Sequence, residues 1–330
     1  MRVLYVLAHF PQNSESYVEA EMKYFTKMGV SIEVWSPLSG YGDRPGFFVH
    51  RSAMEDAIRA FRPNVVHIHH MTTAAYYVDR LFTSFRSKSV TIRAHSFDWD
   101  DTLARRLVAH SVVRRVFAFP HLAERVPGVA PLPVAYDPMI HYPETKDRRS
   151  VVRLAACLPT KRLVDFLEVG NRFGDEMRFT LAVNLVLGKE TMVDELSARN
   201  KALGGRVRIL SNLSRADASE LTRKAGIYLG THDPSSHPFG MPISIAEALA
   251  SGSLVLEREA PGVSEFMGKA RLMYSSTDLV EKLIRASMGF SDEQWKVIEE
   301  GSRVVAERFR SDVVLPRLFE EWHSICLDNF

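Results

Sequence analysis

The chain has 330 residues, of which 46% are hydrophobic and 25% are charged. This composition excludes a disordered protein, and the length exceeds the roughly 100 to 200 residues of one ordinary core, so we expect two α/β domains. A formal net charge of +2 excludes a general electrostatic attraction to nucleic acid, and we expect no nucleic-acid partner.

The start of the chain and its cysteines favour a cytoplasmic protein. Met1 and Arg2 lead directly into a strand-like run, without the long apolar stretch and small-residue cleavage site of a signal peptide. No run approaches the roughly 18 to 20 apolar residues that span a bilayer, so any membrane contact is expected to be peripheral. Cys157 and Cys326 lie far apart in sequence and fit buried thiols better than a disulfide or a metal site.

The chain opens with a predicted βαβ unit. Its parts are a strand at residues 3–8, a helix at 17–28 and a strand at 31–35. The loop at residues 9–16 contains Phe10, Ser14 and Ser16 and lies at the carboxyl edge of the predicted sheet, where open α/β folds bind their ligands. It is no Gly-x-Gly-x-x-Gly sequence, so a dinucleotide site is not supported. The alternative interpretation of this loop is an ordinary polar connection.

Three histidines cluster at the end of the next predicted strand, at residues 64–69. They are His67, His69 and His70. On a strand His67 and His69 face one side and His70 the other, and no carboxylate or cysteine stands in a metal-motif spacing. We therefore predict no metal site and expect histidines that line a cleft.

A further predicted strand, at residues 89–93, leads to His95, and Asp98 follows three residues later. Imidazole titrates near neutrality and can hydrogen-bond a hydroxyl, so His95 is a candidate catalytic residue. A structural histidine is the alternative.

Residues 101–119 are rich in arginine, with Arg105, Arg106, Arg114 and Arg115 set among apolar residues. We favour a solvated helix at 102–110 followed by a buried strand at 112–119. A basic interfacial helix that touches a membrane through residues 105–115 is the alternative.

The polar run at residues 142–150 is the predicted linker between domains. We divide the chain into an N-terminal domain at 1–147, a C-terminal domain at 148–310 and a C-terminal helix at 311–330. The C-terminal domain repeats the alternation of strand and helix that is typical of a second Rossmann-like sheet. Its predicted strands lie at 151–157, 178–183, 207–210 and 227–230, with helices at 164–173, 190–203 and 215–225.

One stretch of this domain carries most of the chemical information. A strand at 227–230 and a polar loop lead to a predicted helix, with Pro242 in its first turn and Gly252 just past its end. Free N–H groups at such a helix start suit a phosphate or a sugar hydroxyl. Glu247 is the one acid on this apolar helix, so it needs a partner or a ligand. A loop cap or an arginine partner is the alternative to a ligand.

The sequence Phe239-Gly240-Met241-Pro242, followed by Glu247-Ala-Leu-Ala-Ser-Gly252 and by Pro-Gly-Val-Ser-Glu at 261–265, resembles the donor-binding signature of GT-B glycosyltransferases, in particular of the retaining family 4. The resemblance implies two Rossmann-like domains with parallel sheets facing across a cleft. It also implies a last helix that returns to the first domain.

The resemblance also implies roles for individual residues. Glu247 would contact the nucleotide ribose, and the loop with Phe239, Gly240, Met241 and Pro242 would contact the diphosphate and the donor sugar. Asn184, Asn212 and Leu213 stand where the family holds the nucleobase. Phe10, Ser14, Ser16 and Asp98 stand on the acceptor side, and the family's cleft histidine corresponds to His95. Residues 132–138 resemble the crossing into the second domain, where an aspartate ends the last strand.

Two positions depart from the family pattern. The family places a glutamate eight residues before the helix glutamate, where this chain has Phe239, and His237 stands just ahead of Pro-Phe-Gly. Either the loop holds a two-residue insertion and His237 contacts the sugar, or that contact is lost. The arginine of the family's diphosphate clamp corresponds to Ala156, whereas Lys161 matches the clamp lysine and Arg162 replaces a glycine.

The implied activity is the transfer of a sugar, with retention, from a nucleotide diphosphate donor to a hydroxyl of a glycan, a lipid-linked acceptor or a small molecule. Lys161 and Arg162 would stabilise the leaving phosphate. No metal and no cofactor besides the nucleotide sugar is expected. A pseudo-transferase that binds nucleotide with little or no turnover and a nucleotide-sugar epimerase are the alternatives.

Overall fold

The computed structural model describes residues 1–42, 46–84, 89–186, 188–233, 235, 242–259, 263 and 272–328. Within them the first sheet runs in the spatial order β3-β2-β1-β4-β5-β6-β7, and every neighbouring pair is parallel. The strands are β1 (Arg2–Val6), β2 (Ser31–Trp35), β3 (Val49–His50), β4 (Val65–His69), β5 (Val90–Arg93), β6 (Val113–Ala118) and β7 (Val129–Pro131).

The second sheet is also parallel throughout its described strands and runs in the order β10-β9-β8-β11-β12-β13. The strands are β8 (Asp147–Ala156), β9 (Arg178–Asn184), β10 (Arg208–Ser211), β11 (Ala225–Leu229), β12 (Leu254–Arg258) and β13 (Leu272–Tyr274). Both sheets therefore have the Rossmann order, in which the direction of winding reverses beside the first strand. The predicted α/β class with two Rossmann-like sheets is confirmed.

Helices connect the strands and cover both sheets. Those of the first half are α1 (Ser16–Lys27), α2 (Met54–Phe61), α3 (Met71–Ser84), α4 (Asp101–Ala109) and α5 (Pro120–Ala123). Those of the second half are α6 (Leu163–Phe173), α7 (Met192–Ala202), α8 (Arg215–Lys224), α9 (Ile243–Ala250), α10 (Thr277–Ser287), α11 (Asp292–Ala306), α12 (Ser311–Val314) and α13 (Pro316–Asp328).

The central strands are buried on both faces because helices cover both sides of a parallel sheet, and one face of β1 and β4 is wholly apolar. Leu4 and Val6 of β1 and Val66 and Ile68 of β4 are completely buried. The segments that follow β1 and β5 in the first sheet and β8 and β11 in the second all contribute residues to one cleft.

The last helix packs on the first domain, as the resemblance implies. Trp322 of α13 is completely buried, and its ring lies 4.4 Å from that of Phe25 on α1. Its indole N–H donates to Thr91 Oγ1 of β5 at 3.0 Å. The C-terminus of the chain therefore belongs to the core of the N-terminal domain.

The structure corrects the predicted bounds of two segments, the linker between the domains and the last strand of the first sheet. The predicted linker at 142–150 overlaps β8, which begins at Asp147 and pairs with Ala225. Charged residues fit there because this end of the strand is partly exposed and Asp147 binds Arg178. The last strand of the first sheet ends at Pro131 and not at the aspartate, and Asp137 follows an isolated bridge between Tyr136 and Arg310.

The arginine-rich segment forms the helix and strand that we favoured. Arg105 and Arg106 are exposed on α4, whereas Arg114 and Arg115 of β6 bind Glu321 of α13 at 2.9 and 3.2 Å. Half of the basic charge is therefore paired within the fold. Among the helices of the described residues, none is both long and apolar enough to cross a bilayer.

Candidate functional site

A cavity of about 400 Å³ lies between the two sheets, at the carboxyl ends of their strands. Its N-terminal wall includes His9, Gln12, Asn13, Glu15, Ser16, Tyr17, Glu19, His95 and Phe97. Its C-terminal wall includes Arg153, Lys161, Asn184, Val186, Leu213, Arg215, Pro242, Ser244 and Glu247. Seven of the predicted site residues thus share one cavity: Ser16, His95, Lys161, Asn184, Leu213, Pro242 and Glu247.

Helix α9 points its N-terminus at this cavity. Pro242 precedes the helix as its N-cap residue, with φ −60° and ψ 139°, and Gly252 just beyond its end has φ +85°, a value that favours glycine. Pro242 and Ser244 both line the cavity. The positive end of the helix dipole and the first free N–H groups therefore face the cleft.

Glu247 is almost completely buried on α9 and has protein partners. Its Oε1 accepts hydrogen bonds from Arg215 Nη2 at 2.8 Å and from Ser16 Oγ at 3.0 Å, and it lies 3.4 Å from His141 Nε2. Burial opposes ionisation, but Arg215 and His141 outweigh it and lower the pKa of Glu247. The arginine partner of the alternative interpretation is therefore present, and the carboxylate also joins the two domains through Ser16.

Two cationic side chains, Arg153 and Lys161, line the C-terminal side of the cavity and form what we call the cavity floor. Arg153 comes from the middle of β8, and Lys161 comes from the turn that follows the same strand. Burial, and then the neighbouring Arg153, lower the pKa of Lys161 to about 8. The sequence pattern did not identify Arg153. This residue supplies a positive charge in a chain that has Ala156 at the position of the family's clamp arginine.

A short chain of hydrogen bonds ties Arg153 to the start of α9. Its Nη1 donates to Tyr228 Oη at 3.0 Å, and that hydroxyl lies 2.7 Å from Ser244 Oγ. The guanidinium, the ammonium of Lys161 and the helix N-terminus therefore lie along one wall. This arrangement suits an anion with several oxygens.

Arg162 is turned away from this wall. It has φ +45°, and its guanidinium binds Asp165 at 2.8 Å on the outside of the turn. There it lines a separate surface depression with Arg258 and Tyr274. The structure therefore does not bring Arg162 beside Lys161 in the cavity lining, because its guanidinium pairs with Asp165.

The loop after β1 reaches across the cleft. Gln12 Nε2 donates to the carbonyl of Leu185, and Asn13 Nδ2 donates to the carbonyl of Leu213, both at 3.0 Å. Leu213 is one of the residues predicted near the nucleobase. The two amide side chains therefore contact the C-terminal wall beside the expected base position.

The other predicted base contacts follow the ends of β9 and β10. Asn184 lines the cavity, whereas Asn212 does not and serves the loop geometry. Asn212 has φ +55°, its N–H donates to the carbonyl of Val183 at 2.8 Å, and its side-chain oxygen lies 3.4 Å from the Leu185 nitrogen. The Asn212 side chain therefore bonds within the loop at the ends of β9 and β10, and any contact of this residue with a base would come from its backbone.

His95 stands in the N-terminal wall with a buried network behind it. Its Nε2 lies 3.3 Å from His69 Nδ1, and His69 Nε2 lies 3.3 Å from Glu21 Oε1. Burial, and then the nearby His70 and His69, hold the pKa of His95 well below the usual histidine value. The imidazole is therefore neutral at physiological pH.

The other histidines do not line the cleft, contrary to our expectation. His67 and His69 are completely buried behind the wall, where both approach Glu21, and His70 binds Glu15 at 3.2 Å. Among the described residues, Glu21, His67 and His69 form a group whose ligand atoms are close enough to hold a metal ion. Arg93 binds the same carboxylate, and Tyr5 Oη donates to it at 3.0 Å. The Glu21 carboxylate therefore already has a cationic partner on Oε2 and a hydroxyl donor on Oε1.

Two predicted acceptor-side residues, Phe10 and Asp98, lie outside the cavity. Phe10 is buried in the hydrophobic core and does not line the cavity. Asp98 accepts from the backbone N–H of His95 at 2.8 Å and from that of Met71, so it holds the wall without entering the cavity. Both were placed by loop position, which does not determine side-chain direction. The side chain of Ser14, and His237, Phe239, Gly240 and Met241, lie outside the described residues.

The whole chain is similar to solved glycosyltransferase structures. Anabaena HepE, solved with UDP-glucose, has 14% sequence identity and a TM-score of 0.76, with 98% of this chain and 100% of that chain covered. A glycosyltransferase from Rickettsia africae has 12% identity and a TM-score of 0.71, with 98% of each chain covered. Sucrose-phosphate synthase from Thermosynechococcus elongatus has 12% identity and a TM-score of 0.72, with 98% of this chain and 99% of that chain covered. No protein-family model and no curated protein matches the sequence. At these identities the likeness establishes the GT-B fold.

Proposed function

We propose that this chain is a retaining glycosyltransferase that moves a sugar from a nucleotide diphosphate donor to a hydroxyl acceptor. One observation carries the proposal: Arg153, Lys161 and the N-terminus of α9 converge on one wall of the cleft, and a neutral His95 stands in the other. The acceptor is a glycan, a lipid-linked sugar or a small molecule. Family 4 membership is part of this proposal.

The donor diphosphate would lie along the cationic wall. Arg153 and Lys161 would bind its oxygens, and the first N–H groups of α9 would bind the rest. Glu247 would hydrogen-bond the ribose in exchange for its bond to Ser16. Asn184 and Leu213 would flank the base. The solved structures of HepE with UDP and with UDP-glucose make uridine nucleotides the first donors to try.

The reaction would proceed on one face of the sugar. The bond between the anomeric carbon and the diphosphate oxygen breaks, and a bond from that carbon to the acceptor oxygen forms. The acceptor proton passes to the departing phosphate oxygen, so no side chain becomes covalently attached. Positive charge from Arg153 and Lys161 acts most strongly as negative charge grows on the leaving diphosphate. His95 would hydrogen-bond the acceptor hydroxyl.

The proposal needs no metal, because the two cations already face the diphosphate position. His237, Phe239, Gly240 and Met241 keep their predicted donor contacts as part of the proposal. A cytoplasmic location, with peripheral contact to an anionic membrane surface, is also proposed. That contact would use Arg105 and Arg106, since Arg114 and Arg115 are paired with Glu321.

The test is turnover of UDP-glucose and other nucleotide sugars with a panel of sugar acceptors, followed by NMR of the product. The proposal predicts release of the nucleoside diphosphate and an anomeric configuration equal to that of the donor. Formation of an epimeric nucleotide sugar without acceptor would identify an epimerase instead. Tight nucleotide binding with no turnover of any donor would identify a pseudo-transferase.

A further inference from the structure

A buried carboxylate lies beside Arg153, one of the two cations of the cavity floor. Glu257 of β12 is completely buried and is not part of the cavity lining. Its Oε2 lies 3.8 Å from Arg153 Nη1, and its Oε1 lies 2.6 Å from His232 Nδ1. The same Oε1 accepts the backbone N–H of Arg258 at 3.0 Å. Glu257 therefore lies near Arg153 without lining the cavity.

The neighbouring strand makes room for this carboxylate. A Cβ on Gly230, at the end of β11, would lie 1.7 Å from Glu257 Oε2. Gly230 also keeps its backbone hydrogen bond to the carbonyl of Leu256 at 2.8 Å. Burying a carboxylate costs several kcal/mol unless charges and hydrogen bonds compensate it. An apolar side chain would fill the space without that cost, so packing alone does not account for an acid here.

Glu257 acts on the charge of Lys161 in the cavity floor. Arg153 lowers the pKa of Lys161, and Glu257 raises it. Burial opposes ionisation of Glu257, but His232 and Arg153 outweigh it and lower its pKa, so this carboxylate is ionised. The other titratable groups around the floor are Tyr228, His232 and Tyr274. Without the anion, the positive charges of Arg153 and Lys161 would repel each other without compensation.

We propose that Glu257 is a positioning residue for the diphosphate site, whose negative charge holds Arg153 in place and keeps Lys161 charged beside it in the cavity floor. This inference rests on the proposed function. It deepens that function by assigning the charge balance of the donor site to a residue that does not touch the donor. Removal of the charge would let Lys161 lose its proton at a lower pH and so weaken diphosphate binding near neutrality.

The test uses Glu257→Gln, which keeps the shape and removes the charge, with UDP as the probe and uridine as the ligand without phosphates. Calorimetry at pH 6.5, 7.5 and 8.5 gives the ratio of variant to wild-type Kd, in which ionisation of UDP cancels. We expect the wild-type affinity for UDP to fall above about pH 8. In the variant the fall should begin about one pH unit lower, so that Kd relative to wild type rises about threefold at pH 7.5 and about eightfold at pH 8.5.

Three matched variants make the result specific. Glu257→Asp keeps the charge and should restore most of the wild-type pH profile. Lys161→Met should abolish the pH dependence in both backgrounds. Asp165→Asn removes an acid that binds Arg162 and Arg258, each at 2.8 Å, on the outer side of the same turn. It should leave the affinity for UDP and its pH profile unchanged.

Each outcome decides between the inferences. No binding of UDP by the wild type at any pH would overturn the proposed function, and this inference with it. Binding of UDP with the same pH profile in wild type and Glu257→Gln, or an equal loss of UDP and uridine, would overturn this inference and leave the proposed function standing. If Glu257→Gln does not fold, Arg153→Met/Glu257→Gln should fold because it removes both charges. Failure of that double variant would assign Glu257 a purely structural role.

Discussion

Replacing Glu247 with glutamine would separate the two roles that the site gives this carboxylate. In the fold it accepts from Arg215 and Ser16, and in the proposed complex it binds the ribose. Glutamine keeps an oxygen for Ser16 but removes the charge that faces Arg215, whose side chain is 19% exposed and can recover part of its hydration. A hydrogen bond to a charged group contributes about 1.5 to 3 kcal/mol, so we expect a loss of about 2 kcal/mol of stability.

The binding role would appear separately. Loss of a ribose hydrogen bond of the same strength would raise the Kd for UDP by about tenfold to a hundredfold. Thermal unfolding and calorimetry measure the two effects, with Arg215→Met as the control that breaks the ion pair and keeps the carboxylate. Glu220→Gln, an exposed acid bonded to Lys224, should change neither quantity. An unchanged Kd for UDP in Glu247→Gln, together with the loss of stability, would refute the ribose contact and leave the ion pair as its only role.

Further predictions concern the fold and its surface. Acid should destabilise the protein as pH falls from about 6.5 to 4, because His69 and His141 have folded-state pKa values of about 4 against an ordinary 6.5. The folded state binds fewer protons in that window, so each residue contributes up to about 3 kcal/mol that is present above it and lost below it, measurable by thermal unfolding against pH. An unchanged melting temperature between pH 7 and 4.5 would contradict this. Trp322→Ala should cost about 3 to 5 kcal/mol, because its fully buried ring joins α13 to the first sheet, and an undisturbed melting temperature would show that the helix is dispensable. Arg105→Glu/Arg106→Glu should reduce co-sedimentation with vesicles containing anionic lipid, and equal binding by the wild type and this variant would exclude α4 as the membrane contact.

The fold could be read from the sequence because local signals agree with it. Pro242 and Gly252 bound α9 as their backbone preferences require, and buried apolar runs mark the central strands of both sheets. The side-chain partners could not be read, because they join distant parts of the chain. The bond between Ser16 and Glu247 spans 231 positions, and no local pattern encodes it.

One signal for the missed residues was present in the sequence. Arg153 interrupts an apolar run, and Arg93 and Glu257 stand at the carboxyl ends of such runs. All three are buried in parallel strands, where a charge must have a partner. Such residues are candidates for the floor of a site. Their partners and directions depend on strand register and on the neighbouring strands, which sequence periodicity does not give. Arg162, in contrast, looked suitable by position, and a left-handed backbone conformation points it elsewhere.

The central claim is that the cleft binds a nucleoside diphosphate through Arg153 and Lys161. Calorimetric titration of wild type and Arg153→Met with UDP, other nucleoside diphosphates and uridine tests it most directly. The account predicts that wild type binds at least one nucleoside diphosphate much more tightly than the matching nucleoside, and that Arg153→Met loses most of this difference. Equal binding of nucleoside and nucleoside diphosphate by the wild type, or an unchanged difference in Arg153→Met, would contradict it.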